Sequence, residues 1–382
     1  MGKLVEMPRP AGDSHDRLNP QQREAVTSGD GPLLVVAGAG TGKTLVITER
    51  IRHLLETNPE LSGENILGLT FTDKAAEEMK ERVVHALGDR GESVWLSTFH
   101  RFCHSVLQEQ HPEMQVLENT DHWILLRRNM AQLQLAHYKR LAEPGRFLSD
   151  FVDFFSRCQD ELVTPDDYAE YAASLRHAYE REKAKLDLLA REDRELEVIQ
   201  QEEIARAYRA SERLLRERKL YTFGALLMET VQELRRNREL LRHLRQRYRY
   251  ILVDEFQDTN IAQIELLWLL AGEASPGQGG LSVGRRNIIA VGDDDQAIYR
   301  FRGASFGSFQ LFAEKFMGQK FAPDHPDAPV VKLVRNYRST KRILRVAGQT
   351  IQQNADRVFR DKHLVTENAE GDKICIVEFA SI

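Results

Sequence analysis

Lys43 and Thr44 close the segment LLVVAGAGTGKT, residues 33–44, and no other stretch points so directly to a chemistry. A lysine behind a glycine-rich turn can reach the β- and γ-phosphates of a nucleoside triphosphate, and the adjacent hydroxyl can ligate Mg²⁺. Gly38, Gly40 and Gly42 clear the way for backbone N–H groups to turn onto phosphate oxygens, and a following helix adds the positive end of its dipole. Ala37 stands where the generic pattern has its first glycine, and Ala39 and Thr41 complete the loop. Downstream, an apolar run ends in Asp254 and Glu255. One acid of such a pair can hold the metal while the other, Glu255, orients and deprotonates the attacking water. Gln296 follows another short apolar run and is placed to touch the γ-phosphate or its water. Arg302 and Arg338 are candidates for stabilising charge on the transferring phosphoryl group, with a plain surface role as the alternative. Gln22 lies shortly before the loop, and its carboxamide carries the donor and acceptor needed to read an adenine edge.

A second ligand is suggested by residues that follow the apolar runs. Phe71 and Thr72, then Phe99 and His100, then Tyr299, Arg300 and Phe301 sit where loops are expected. Exposed aromatics interleaved with basic groups hold single-stranded nucleic acid by stacking bases and following the backbone. For Phe99 and Phe102 a place in the core fits the pattern equally well.

These residues need a scaffold that brings strand ends together. Apolar runs at 33–36, 66–71 and 94–97 alternate with helical stretches at 45–57 and from about 73 to 87, which predicts an α/β fold with a parallel sheet. Ligands of such sheets gather beyond the carboxyl ends of the strands, where the candidates fall. Asn19 followed by Pro20 predicts a helix start ahead of the first strand. From residue 112 to 218 strand signals vanish and helical segments dominate: 121–135, 147–160, 165–171 and a long charged run, 176–219. That run mixes both charge signs around apolar residues at 3–4 spacing, as an amphipathic helix or helical pair with a solvated face does. The α/β pattern then resumes, with helices at 223–235, 239–248 and 261–272 and strands at 250–253 and 287–291. A glycine-rich loop is expected at 275–284, a hinge at 323–329, and further strands at 330–334 and 373–380.

Bulk properties narrow the class. A chain of 382 residues with net charge −5 is no uniformly basic nucleic-acid binder, although a local basic groove is compatible with that total. Cys103, Cys158 and Cys375 are widely spaced and odd in number, which suits a reduced, cytoplasmic setting. No apolar run approaches about 18 residues, so no membrane span is expected. Residues 1–17 lack an apolar core of signal-peptide type and are expected to form a disordered leader.

Taken together the motifs resemble those of the UvrD/Rep/PcrA group of superfamily 1 DNA helicases. LNPQQREAV is similar to the adenine-reading Q motif, AGAGTGKT to motif I, LTFTDKAAEEM to motif Ia and STFHRF to the next DNA-side motif. VDEFQDTN resembles motif II, VGDDDQAIYRFRGA motif III and NYRST motif IV. Departures are Phe256 in place of a commoner tyrosine, Phe301 in place of a base-stacking tryptophan, Leu45 in place of an arginine, and the absence of acids in LYTFGALL, residues 220–227. The resemblance implies that Tyr337 stacks on adenine and that Arg338 approaches the γ-phosphate. It implies a RecA-like domain 1A formed by 18–111 and 219–329, a helical insertion 1B at 112–218, and the start of a second RecA-like domain, 2A, at 330–382. It also implies ATP and Mg²⁺ as ligands, and 3′-to-5′ translocation on single-stranded DNA or at a single-strand/duplex junction. DNA repair or replication is the implied setting, with accessory repair proteins as further partners. The family pattern runs from residue 18 to about 365, so the expectation is an N-terminal fragment, monomeric, with weak or absent turnover. Two other readings stand beside it: a naturally short module that partners a helicase, and a small-molecule kinase, which would have no use for the aromatic clusters.

Overall fold

In the computed structural model, residues 18–139, 143, 145–271, 287–297, 307–318, 330–354 and 357–375 are described. The elements follow in chain order as α1 (Pro20–Thr27), β1 (Leu33–Ala37), α2 (Lys43–Thr57), β2 (Ile66–Thr70), α3 (Asp73–Leu87), α4 (Asp89–Glu92), β3 (Trp95–Thr98) and α5 (Phe99–Gln110). Next come β4 (Gln115–Leu117), α6 (Asn119–Arg128), α7 (Leu148–Asp160), α8 (Pro165–Glu182), α9 (Leu188–Glu217) and β5 (Leu220–Thr222). The last group is α10 (Phe223–Arg236), α11 (Arg238–Arg247), β6 (Tyr250–Val253), α12 (Ile261–Ala271), β7 (Ile288–Gly292), α13 (Ser308–Phe312), β8 (Val330–Leu333) and α14 (Lys341–Ile351).

Six strands form one sheet in the order β3-β2-β6-β7-β1-β8, and every neighbouring pair runs parallel. Most strand positions are apolar because helices cover both faces, so alternate residues enter different cores. Leu34 and Val36 join Leu67, Leu69 and Val253 on one side. Leu33, Val35 and Ala37 join Ile47, Ile51 and Val83 on the other. Burial of each leucine, isoleucine or valine among them contributes roughly 1.5–3 kcal/mol, and a one-residue slip of β1 would exchange its faces.

The helical insertion has its own core, where Phe155 stacks between Phe151 and Tyr208 at centroid distances of 5.7 and 4.8 Å. Its two ends are tied together by a small parallel sheet in which Gln115–Leu117 pairs with Leu220–Thr222. The strand-free expectation for 112–218 is corrected at β4. Three residues with one exposed end leave no apolar run to read, and their pairing partner lies beyond the whole insertion.

A second difference concerns residue 330. Val330–Leu333, expected to open a second α/β unit, is the edge strand of the first sheet, with Leu34 aligned to Val330 and Ala37 to Leu333. Its apolar alternation carries no information about which sheet it joins. The strand expected at 373–380 is absent over residues 373–375, and the rest of it lies outside the described residues. So do the leader, the glycine-rich loop at 275–284 and the hinge at 323–329. Among the described residues no helix is long and apolar enough to cross a membrane.

Candidate functional site

The turn between β1 and α2 sets the centre of the site. Gly42 is the N-cap of α2 with φ +93°, and a Cβ there would lie 2.9 Å from Gln22 Nε2. Gly40 has φ +69°, and a Cβ would lie 2.6 Å from the Cβ of Arg338. Both positions therefore exclude other residues on conformational and steric grounds. Thr41, buried, closes the turn by donating from Oγ1 to the Gly38 carbonyl at 2.8 Å.

Gln22 holds the loop from behind. Asn19 caps α1 and exchanges bonds with Gln22, whose Oε1 accepts from the Asn19 N–H at 3.1 Å. Gln22 Nε2 donates to the Thr41 carbonyl at 2.9 Å. One N–H of its carboxamide is thus spent on the loop and its carbonyl on the cap. Asn19 Nδ2 also donates to the Tyr337 hydroxyl at 2.9 Å, so α1 meets the half-exposed ring expected to stack on a base.

The second wall comes from the turn after β8. Asn336, buried, donates from Nδ2 to the Ala39 carbonyl and accepts the N–H groups of Arg338 at 2.9 Å and Ser339 at 2.7 Å. Tyr337 N–H donates to the Gly40 carbonyl at 2.9 Å. This turn is therefore fastened to the glycine loop through its backbone, which leaves the Tyr337 and Arg338 side chains directed by it.

Acids enter from β6. Asp254 N–H donates to the Leu69 carbonyl of β2 at 2.9 Å, which fixes its Cα at the strand end. Its Oδ1 accepts from the Glu255 N–H at 2.9 Å. Glu255 takes a left-handed conformation, φ +50°, ψ +43°, and so turns its carboxylate toward Lys43, at 2.8 Å. Gln257 Nε2 donates to the same Glu255 oxygen at 2.8 Å. Burial pushes the Asp254 carboxyl up to about 6, aided by the Glu255 charge and opposed by Lys43. Burial likewise raises Asp258 to about 6, again with Glu255 adding to the rise. Three acids facing one lysine form a site short of positive charge, and the Asp254 carboxylate with the Thr44 hydroxyl is a hard oxygen donor set of the kind Mg²⁺ prefers.

These groups meet in a cavity of 420 Å³ lined by Ala39, Gly40, Gly42, Lys43, Thr44, Leu45, Glu255, Gln296, Tyr337 and Arg338, with Glu78 and Arg82 of α3. Sequence reasoning missed the last two, because a helical position on a charged face gives no sign of the cavity it borders. Ala37, Gly38 and Thr41 lie beneath this surface, and Ala37 is fully buried at the end of β1.

The DNA-side candidates divide. Thr72 caps α3, accepting the Ala75 N–H at 3.2 Å, and is exposed beside the partly buried Phe71. Phe99 and Phe102 belong to the core, because Thr98 caps α5 and the helix starts at once where a loop was expected. His100 points from that first turn edge-on to Phe223, ring centroids 5.6 Å apart, and Phe223 is 45% exposed. Burial holds the His100 imidazole below its ordinary range, with the Asp73 charge opposing. Phe223 escaped the sequence reading, since it opens an apolar helix. Tyr299, Arg300, Phe301 and Arg302 lie outside the described residues.

A parallel sheet with a glycine loop after β1, an Asp–Glu pair after β6 and a glutamine after β7 defines a phosphate-loop nucleotide-binding domain of RecA-like type. The chain belongs to the family described as the UvrD/REP helicase N-terminal domain, whose match covers residues 18–317. It is 35% identical over 363 residues to the ATP-dependent DNA helicase PcrA of Staphylococcus epidermidis strain ATCC 35984, covering 94% of this chain and 42% of that protein. It is 34% identical over 365 residues to PcrA of Staphylococcus aureus strain Mu50, covering 94% of this chain and 43% of that protein. The chain thus spans about two-fifths of the length of the relatives it matches.

Proposed function

We propose that this chain carries the ATP site and part of the DNA track of an ATP-dependent DNA helicase with 3′-to-5′ polarity. The observation that carries the proposal is the 420 Å³ cavity, in which Lys43, Thr44, Glu255, Gln296, Tyr337 and Arg338 converge from four separate stretches of sequence. Lys43 neutralises the phosphates, and binding them draws it away from Glu255. Glu255, released from that pair, accepts a proton from the attacking water while Gln296 and Arg338 contact the transferring phosphoryl group. Tyr337 offers its half-exposed ring to adenine. Thr44 and Asp254 are the residues that would hold Mg²⁺. When bound, that ion supplies the positive charge the buried acids call for.

His100, Phe71, Thr72 and Phe223 mark the DNA side, with the edge-on His100–Phe223 pair as the stacking platform. Free Cys103, Cys158 and Cys375 are in keeping with work in the cytoplasm. Titration with a fluorescent ATP analogue and with labelled single-stranded DNA tests the reading. Lys43→Ala should weaken the first about a hundredfold and spare the second, and Phe223→Ala should weaken the second by roughly 1–3 kcal/mol while sparing the first. Equal loss of both ligands in either variant would contradict the assignment of two sites.

A further inference from the structure

Gln296 does not stand alone at the end of β7. Its Nε2 donates to Asp293 Oδ2 and its N–H donates to the Asp293 carbonyl at 3.0 Å, so one aspartate shapes the whole turn. The Asp293 N–H donates to Gln257 Oε1 at 2.9 Å, and Gln257 Nε2 donates to Glu255 Oε2 at 2.8 Å. That same carboxylate oxygen meets Lys43 at 2.8 Å. An unbroken series of polar contacts therefore runs from Lys43 through Glu255, Gln257 and Asp293 to Gln296.

The far anchor of this series is Lys362, which the motifs leave without a role. Carboxylate oxygens of Asp293, Asp294 and Asp295 lie within 4.8 Å of one another, a spacing suited to a cation. The Lys362 ammonium fills that place, bonded to Asp293 and Asp294 and 3.0 Å from Asp295. Its side chain is 1% exposed. Three carboxylates this close repel one another in a medium of low dielectric, and the Lys362 charge offsets that repulsion. Arg357 fastens the segment that delivers Lys362. It makes two bonds to Asp295, at 2.7 and 2.9 Å, and a third to the Lys362 carbonyl at 3.1 Å. The Phe359 N–H adds a bond to Asp294 at 3.0 Å, and Leu364, just beyond, fills the space beside Gly38 of the phosphate loop.

We propose that Lys362 is a positioning residue for the nucleotide reaction: its buried ammonium holds the Asp293–Gln296 turn so that Gln296 and, through Gln257, Glu255 keep one shared geometry toward the γ-phosphate. The inference rests on the nucleotide-site reading above. It differs from a purely structural role because the geometry it controls matters only to a ligand that has a third phosphate. ATP should feel its loss and ADP should not.

The test compares ATP and ADP affinities of the whole chain by competition against a fluorescent ADP analogue, for Lys362→Met, Gln296→Ala, the double variant and Lys362→Arg. Lys362→Met is expected to lower the preference for ATP over ADP about tenfold, the loss of one charge-assisted hydrogen bond to phosphate, with ADP affinity unchanged. The double variant should lose less than the sum of the two single losses, since Gln296 is one of the two groups through which Lys362 acts. Lys362→Arg, which keeps the charge, should recover most of the preference. An unchanged preference in Lys362→Met, or losses that add in the double variant, would overturn the proposal. Should Lys362→Met fail to unfold cooperatively, Gln257→Met tests the Glu255 arm of the same proposal, because it severs the link between Asp293 and Glu255 and should lower the preference in part. An unchanged preference in that variant also overturns it. Lys43→Ala run alongside separates the two claims. A strong loss of nucleotide affinity there, with full preference kept in Lys362→Met, removes the positioning role and leaves the site standing. No ATP binding by the unaltered chain removes both.

Discussion

The sheet end and the helical insertion handle charge in opposite ways. At the sheet end Asp254, Asp293 and Lys362 are buried, Lys43 and Glu255 partly so, and each polar group is bonded to the next, as in the series from Lys43 to Lys362. On the insertion the pairs lie outside, for example Arg209 with Asp166 at 2.7 Å and Arg194 with Glu197 at 2.5 Å, each a third or more exposed. A buried charge must be matched or it is costly, whereas an exposed pair contributes little. The comparison teaches that burial, not the number of ion pairs, tells which charges the chain depends on. Glu203 shows that the insertion follows the same rule where it is buried. Its carboxylate, fully out of solvent, accepts the N–H groups of Ala136, His137 and Tyr138 at 2.9, 2.9 and 3.0 Å.

The contrast can be broken from either side. Lys43→Ala removes the cation at the phosphate end and should cost about 3 kcal/mol of ATP affinity, or about a hundredfold, in a fluorescent titration. Glu203→Ala should cost about 2–3 kcal/mol in urea unfolding, because three N–H groups lose their acceptor, and should leave ATP affinity untouched. A smaller, graded effect belongs to the junction of the two regions. Burial pushes Asp160 and Glu212 each up to about 7, and they are bonded to Asn260 and Gln159 at 2.8 Å. Carboxyls with folded values above their unfolded ones bind more protons when folded, so stability should fall as pH rises from about 4 to 7 and level off above. Asp160→Asn should flatten part of that slope in thermal melts taken across the range, and an unchanged slope would count against the burial. Arg209→Ala marks the small end: within about 0.5 kcal/mol of the parent in the same urea assay.

Legibility follows the same division. The sheet and the nucleotide site could be read because their residues sit at strand ends, where an apolar run stops and a polar cluster begins. Gly40, Lys43, Glu255 and Gln296 each announce themselves locally. What was missed is held by distance or by helix phase. Lys362 reaches its acids across a long separation in sequence, β4 has its partner beyond the insertion, and Glu78 and Arg82 differ from other charges of α3 only in which face they occupy. Phe99 and Phe102 were undecided because the sequence does not say whether Thr98 ends a strand or begins a helix, and here it does both.

Glu255 has a backbone that only glycine adopts freely, with φ +50°. A glycine there would relieve strain of about 1 kcal/mol and would also remove the carboxylate. Selection for stability alone would therefore favour glycine here. In any chain that has kept the carboxylate here against that gradient, the residue records what the fold is used for, much as wear on a hinge records which door is opened.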